Sequence, residues 1–131
     1  MTFPDDVAAL LARAEAALAG ARFNLEGGFA DIAQGRAYYA MFHAAGAALL
    51  SLDEQPKTHA GTRTRFADLF VRTGRIDRSW LSAYTDLMAR RNRADYDGET
   101  ASEEDVARDI ATAAAFVAEI RRILGPIPPR E

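Results

Sequence analysis

RAYYAMFHAAGAALL, residues 36–50, is apolar on nearly every side of the helix that its spacing predicts, and only Arg36 and His43 interrupt it. A helix that is hydrophobic all round is enclosed by other helices and does not lie on a surface. The rest of the chain must therefore supply its neighbours, and this makes it a central helix, expected from about Phe29 to Leu52. Ala40, Ala44, Ala45, Gly46, Ala47 and Ala48 carry little side-chain bulk, so another helix, from the same chain or from a second subunit, approaches closely. Arg36, Tyr39 and His43 leave a polar stripe on this greasy helix, Tyr39 four residues and Arg36 seven residues before His43.

The remaining sequence reads as those neighbours. No strand-like alternation of useful length occurs, whereas three-and-four spacing recurs throughout. Val7, Leu10, Leu11, Ala14, Leu18, Ala21 and Leu25 form one apolar stripe that begins after Pro4 and Asp5 and stops at Gly27 and Gly28. Pro56 and its polar surroundings break the period, and Thr58 is placed to cap a third helix that carries Phe66, Leu69 and Phe70 and ends at Gly74. A fourth helix starts near Asp77, sets Trp80, Leu81, Tyr84, Leu87 and Met88 on one stripe and stops near Gly98. Ser102 caps a fifth, whose first turn holds three acids that suit the helix dipole. The expectation is an all-α, five-helix antiparallel up-and-down bundle over residues 1–124, with a Pro-rich tail at 125–131.

Composition excludes several kinds of chemistry. The chain has 131 residues and no cysteine, so disulfides, thiolate nucleophiles and cysteine-ligated zinc are ruled out, and its two histidines cannot build a histidine-rich metal site. No metal and no cofactor is expected. MTFPDDVAAL lacks the basic start of a secretory signal. The longest uncharged run, YYAMFHAAGAALLSL, is too short to span a bilayer. A cytoplasmic location follows as the expectation.

A net charge of −3 hides a strong segregation. Residues 57–93 hold 9 basic and 3 acidic side chains, against 3 and 7 before them and 4 and 9 after. If the middle segment formed one face, it would offer phosphate a positive patch on an acidic protein. Within it, ARRNRADYDG (89–98) raises the sharpest question. At 100° per residue, Arg91 falls on the apolar stripe of the fourth helix, with Asp95 one turn further. An arginine there needs a partner, because a buried unpaired charge costs several kcal/mol. Arg90 and Arg93 share the opposite face with Asp86 and Asp97, where solvated ion pairs are expected.

Two readings of Arg91, Asp95 and Tyr96 stay open. As structure they fix the helix end; as a site, Arg91 holds a phosphate or a developing charge while Tyr96 or Asp95 assists. Lys57 and His59 stand at a helix start, where free amides also suit an anion.

Taken together, GRAYYAMFHAAGAALL, PKTHAG and RNRADYD, in that order, resemble the HEPN domain family of bacteria and archaea, in particular its small stand-alone members. The resemblance runs from the first helix to about residue 124. It implies a helical bundle, a homodimer and a minimal nucleotidyltransferase as partner in a toxin and antitoxin pair. It also implies RNA or nucleotide binding at a composite site between subunits. Many HEPN proteins are metal-independent ribonucleases, whose signature is an arginine followed four to six residues later by a histidine. Arg91 matches the arginine, but Tyr96 stands where the histidine is sought, and none follows His59. An endoribonuclease with Tyr96 in the catalytic pair, and a purely structural interaction module, are the alternatives.

Overall fold

The computed structural model describes residues 3–97 and 101–126, with side chains described for 5–93 and 101–126. Among these residues all regular structure is helical: α1 (Phe3–Glu26), α2 (Ala30–Leu50), α3 (His59–Phe66), α4 (Arg78–Asp97) and α5 (Glu103–Leu124). None of the described helices is long and apolar enough to cross a membrane. The expected tail lies outside the described residues from 127 onward.

Local chemistry sets the boundaries. The first turn of α1 carries Asp5 and Asp6, next to the helix's free amides. It ends where Gly28 adopts φ 86, a conformation that L side chains rarely take. Ser102 Oγ accepts the Asp105 amide at 3.1 Å to open α5, and Asp77 accepts the Ser79 amide at 3.0 Å before α4. Thr58 Oγ1 accepts the amide of Gly61 at 2.8 Å. A Cβ on Gly61 would stand 2.8 Å from that same oxygen, so the glycine of PKTHAG is what lets the cap close.

The central position of α2 is confirmed by burial. Ala37, Tyr38, Ala40, Met41, Ala44, Ala45, Ala47, Ala48 and Leu49 are wholly inaccessible within this single chain. The close neighbour of the alanine stripe is thus internal, and α1 and α5 pack most extensively against α2. Two pairs align α2 and α5 in the same direction: the Ala101 amide donates to Asp31 at 3.0 Å, and Gln34 donates to Asp109 at 3.0 Å. Arg90 with Asp109 and Trp80 with Phe116 run the other way, making α4 antiparallel to α5. The glycine turn reverses α1 against α2, so the four long helices alternate. Short α3 closes one side.

Helix three departs from expectation in its winding. After Phe66 the chain relaxes into a π-helical turn, Ala67–Val71, in which the Arg72 amide bonds to Ala67 at 2.9 Å. Phe66, just before it, and Phe70, inside it, stack with ring centres 5.3 Å apart, both fully buried. Phe116 of α5 lies 5.7 Å from Phe66 and 5.9 Å from Tyr84, tying α3, α4 and α5 into one aromatic cluster.

Arg90 corrects the sequence reading. It does not pair with Asp86 on a solvated face; it reaches Asp109 of α5 through Nη2 at 2.5 Å and Nε at 3.3 Å. Asp109 sits on the buried stripe of Val106, Ile110 and Ala113, with its side chain only 7% exposed. A carboxylate there must be neutralised and hydrogen bonded, and Gln34 and Arg90 do both. Arg93 is exposed.

Asp109→Ala strands the Gln34 amide and the Arg90 guanidinium, which is 36% exposed and relaxes partly into water. Unfolding in urea is expected to lose about 2 kcal/mol at unchanged slope. A loss below about 0.5 kcal/mol would show the network to be dispensable.

Candidate functional site

Three elements bring cations, imidazoles and phenols to one place. The 3.6-residue turn stacks Tyr38, Tyr39, Phe42 and His43 along adjacent faces of α2. The Thr58 cap sets His59 as the first residue of α3, directly over them. Tyr38 Oη lies 2.7 Å from His59 Nδ1. Phe42 stacks on the His59 ring with centroids 4.2 Å apart and planes inclined by 15°. From α4, the Arg91 guanidinium carbon stands 5.1 Å from the centre of the Tyr38 ring and 5.2 Å from that of Tyr39. Arg36 lies over Tyr39 at 4.9 Å, and His43 is 5.9 Å from the same ring.

Arg91 does point toward the packed side, as its stripe position requires, but it is half-buried and not sealed. Its described neighbours are aromatic faces. The Asp95 and Tyr96 side chains lie outside the described residues, so neither is given a contact; their backbone continues α4. Lys57 is exposed two residues before His59. The polar stripe of Arg36, Tyr39 and His43 joins Arg91 and His59 through the shared Tyr39 ring.

The charges of the middle segment do not gather on one face. Arg65 pairs with Glu54 at 2.9 Å, Arg72 with Asp68 at 3.2 Å, and Arg90 turns to α5. The cations that act on the imidazoles are Arg13, Arg36 and Arg91. They shape its proton chemistry. Burial lowers the His59 pKa from its ordinary value, and Arg91 lowers it further. His43 is lowered by burial, then by Arg13, Arg36 and His59. Burial outweighs the attraction of Arg91 at Tyr38, whose phenol is pushed up to about 12 and stays protonated.

Sequence reasoning passed over Tyr38 in favour of Tyr39. The usable signal was that a tyrosine on the most buried face of an enclosed helix needs a partner for its hydroxyl. Tyr84 has the same need unmet: its hydroxyl is raised by burial beside Tyr38, yet no partner meets hydrogen-bond geometry.

Comparison with known proteins bears on this arrangement. The HEPN domain profile matches residues 7–123. The chain belongs to the HEPN domain family. A Methanocaldococcus jannaschii protein that carries a provisional toxin name is 35% identical over 123 residues, 94% of this chain and 92% of the relative. A Gloeobacter violaceus protein named UPF0332 is 34% identical over 110 residues, covering 82% and 87% of the two chains. A Thermotoga maritima protein of the same name is 28% identical over 113 residues, 86% of each. In this HEPN chain Arg91 lies against two tyrosines, with an imidazole from α3 beside it.

Two outcomes follow for the HEPN bundle. Because both histidine pKa values are lowered by folding, the unfolded chain binds their protons more readily. Stability contributed by the neutral imidazoles is present above about pH 6.5 and is lost as pH falls below it. Proton NMR titration should therefore find His59 below its ordinary value, and Arg91→Ala should move it upward. An unmoved His59 signal would separate the two residues electrostatically. Tyr84→Phe removes a buried hydroxyl that lacks a partner, so thermal unfolding should show no loss and a gain of up to about 1 kcal/mol.

Proposed function

We propose that this HEPN protein is the helical member of a toxin and antitoxin pair, acting in the cytoplasm as a homodimer beside a minimal nucleotidyltransferase. It binds RNA or a nucleotide through the face centred on Arg91. The toxin name of the M. jannaschii relative, which matches nearly the whole chain, supports the first part. One observation carries the second: Arg36 and Arg91 converge on Tyr39, next to His59 stacked on Phe42.

Cations among half-exposed aromatic rings suit a single strand, because phosphates need positive charge and bases stack on any π face. A guanidinium is planar and carries five donors whose fork matches phosphate oxygens. Lys57 extends the positive side from the loop. Asp95 and Tyr96 belong to the proposed site by their place on α4, one turn beyond Arg91. The interaction part of the reading draws on Phe23, Phe29 and Ile32, which stand 77%, 58% and 55% exposed around the α1–α2 turn.

Fluorescence anisotropy with a labelled single-stranded RNA tests the binding. Affinity is expected to fall with salt and to drop about tenfold or more in Arg91→Ala. Wild-type protein that leaves the probe tumbling freely at low salt would end the reading. So would undiminished binding by the variant.

A further inference from the structure

We infer that the cleft between α1, the middle of α2 and the loop 51–58 is a pyrimidine pocket, which takes one base of the strand whose phosphates lie at Arg36 and Arg91. This rests on the binding reading above and adds base selection to it. The cleft measures about 160 Å³ and is open on one side. Leu10, Phe42, Leu50 and Pro56 give it apolar walls, while His43 and Gln55 line it with polar atoms.

Three features fit a single planar ring. The first is size. An apolar cavity of about 150 Å³ admits one benzene ring, so this cleft holds a six-membered base and would leave the second ring of a purine outside. The second is polarity. Burial, then Arg13, Arg36 and His59, keeps His43 neutral near pH 7, so its ring offers one donor and one acceptor. Among the described residues its nitrogens have no hydrogen-bond partner, yet they are not sealed from solvent. The exposed Gln55 amide both donates and accepts, and so matches either pyrimidine edge. Beside it Glu54 is held at the rim by Arg65 at 2.9 Å.

The third feature is Gly46. Glycine in a helix interior costs stability relative to alanine, and here Ala44, Ala45, Ala47 and Ala48 stand on either side of it. Packing does not demand the exception, because a Cβ on Gly46 would meet only Leu10 Cδ1, at an ordinary 3.9 Å. What the missing methyl leaves is room in the cleft, which both residues line. The cleft also adjoins the cationic cluster. Phe42 forms its wall and stacks on His59 at 4.2 Å. His43 lies 5.9 Å from the Tyr39 ring, on which Arg36 and Arg91 converge at 4.9 and 5.2 Å. One nucleotide is thus offered neighbouring places for its base and its phosphate.

The test compares two labelled single strands of equal length, one all uridine and one all adenosine, by fluorescence anisotropy at low salt. Wild-type protein is expected to bind the uridine strand about tenfold more tightly. Gly46→Leu fills the cleft and, once circular dichroism has confirmed its helix content, should hold the uridine strand no more tightly than the adenosine strand. Gly46→Ala adds only a methyl. It should melt about 4 °C higher, as alanine in a helix interior predicts, and bind the uridine strand more weakly than wild type. Free uridine, which has no phosphate, should move the His43 ring signals in proton NMR, and adenosine should move them less. Equal wild-type affinity for the two strands, a preference that survives Gly46→Leu, or His43 signals unmoved by uridine overturns the inference and leaves the binding reading standing. A Gly46→Ala chain that melts lower and keeps the full preference also overturns it. Failure of both strands to bind removes the binding reading, and the inference falls with it.

Discussion

Everything in this bundle depends on α2 having almost no side chains to keep its neighbours away. Ala40, Ala44, Ala45, Ala47 and Ala48 are wholly buried, and Gly46 leaves Leu10 of α1 as its nearest outside contact. Close approach of helices gains dispersion contacts that bulkier residues would forbid at that spacing. It also has a cost: so thin a helix contributes little apolar volume of its own. The aromatic cluster of Phe66, Phe70, Trp80, Tyr84 and Phe116 fills the other half of the core, where α3, α4 and α5 meet.

The same helix changes character along its length, and the site stands where it does. Past Gln34, its most buried face passes from alanine to Tyr38, and the adjacent face from Arg36 to Tyr39, Phe42 and His43. Phenols and imidazoles can be half-buried only where their polar atoms find partners. Tyr38 finds His59, and the rings it shares with Tyr39 receive Arg91. The cluster is thereby both a structural joint of α2, α3 and α4 and a half-open polar surface. Tyr84 shows how tight the joint is, since its hydroxyl is enclosed beside that of Tyr38 with no partner of full hydrogen-bond geometry among the described residues.

Two ionic arrangements that look alike in sequence separate here. Arg90 and Arg91 are neighbours, yet one is drawn to the buried carboxylate of Asp109 and the other to ring faces. Successive residues on a helix point about 100° apart, so they meet different helices. Asp109 was legible in principle: an acid on the stripe of Val106, Ile110 and Ala113 demands a cation. Which arginine answers it was not.

The one-dimensional pattern determined the all-α class, the enclosed α2, and the caps at Thr58 and Ser102, because periodicity and capping are local and act within a few residues. It also grouped Arg36, Tyr39 and His43 as one polar stripe and marked Arg91 and His59 separately as residues out of keeping with their surroundings. Only tertiary structure decided that Arg91 and His59 join that stripe, that Tyr38 holds His59, and that Arg90 belongs to the core network. Those contacts join residues 19 to 75 positions apart. Their pairing is set by how helices are rotated and stacked, a packing outcome that no local spacing encodes.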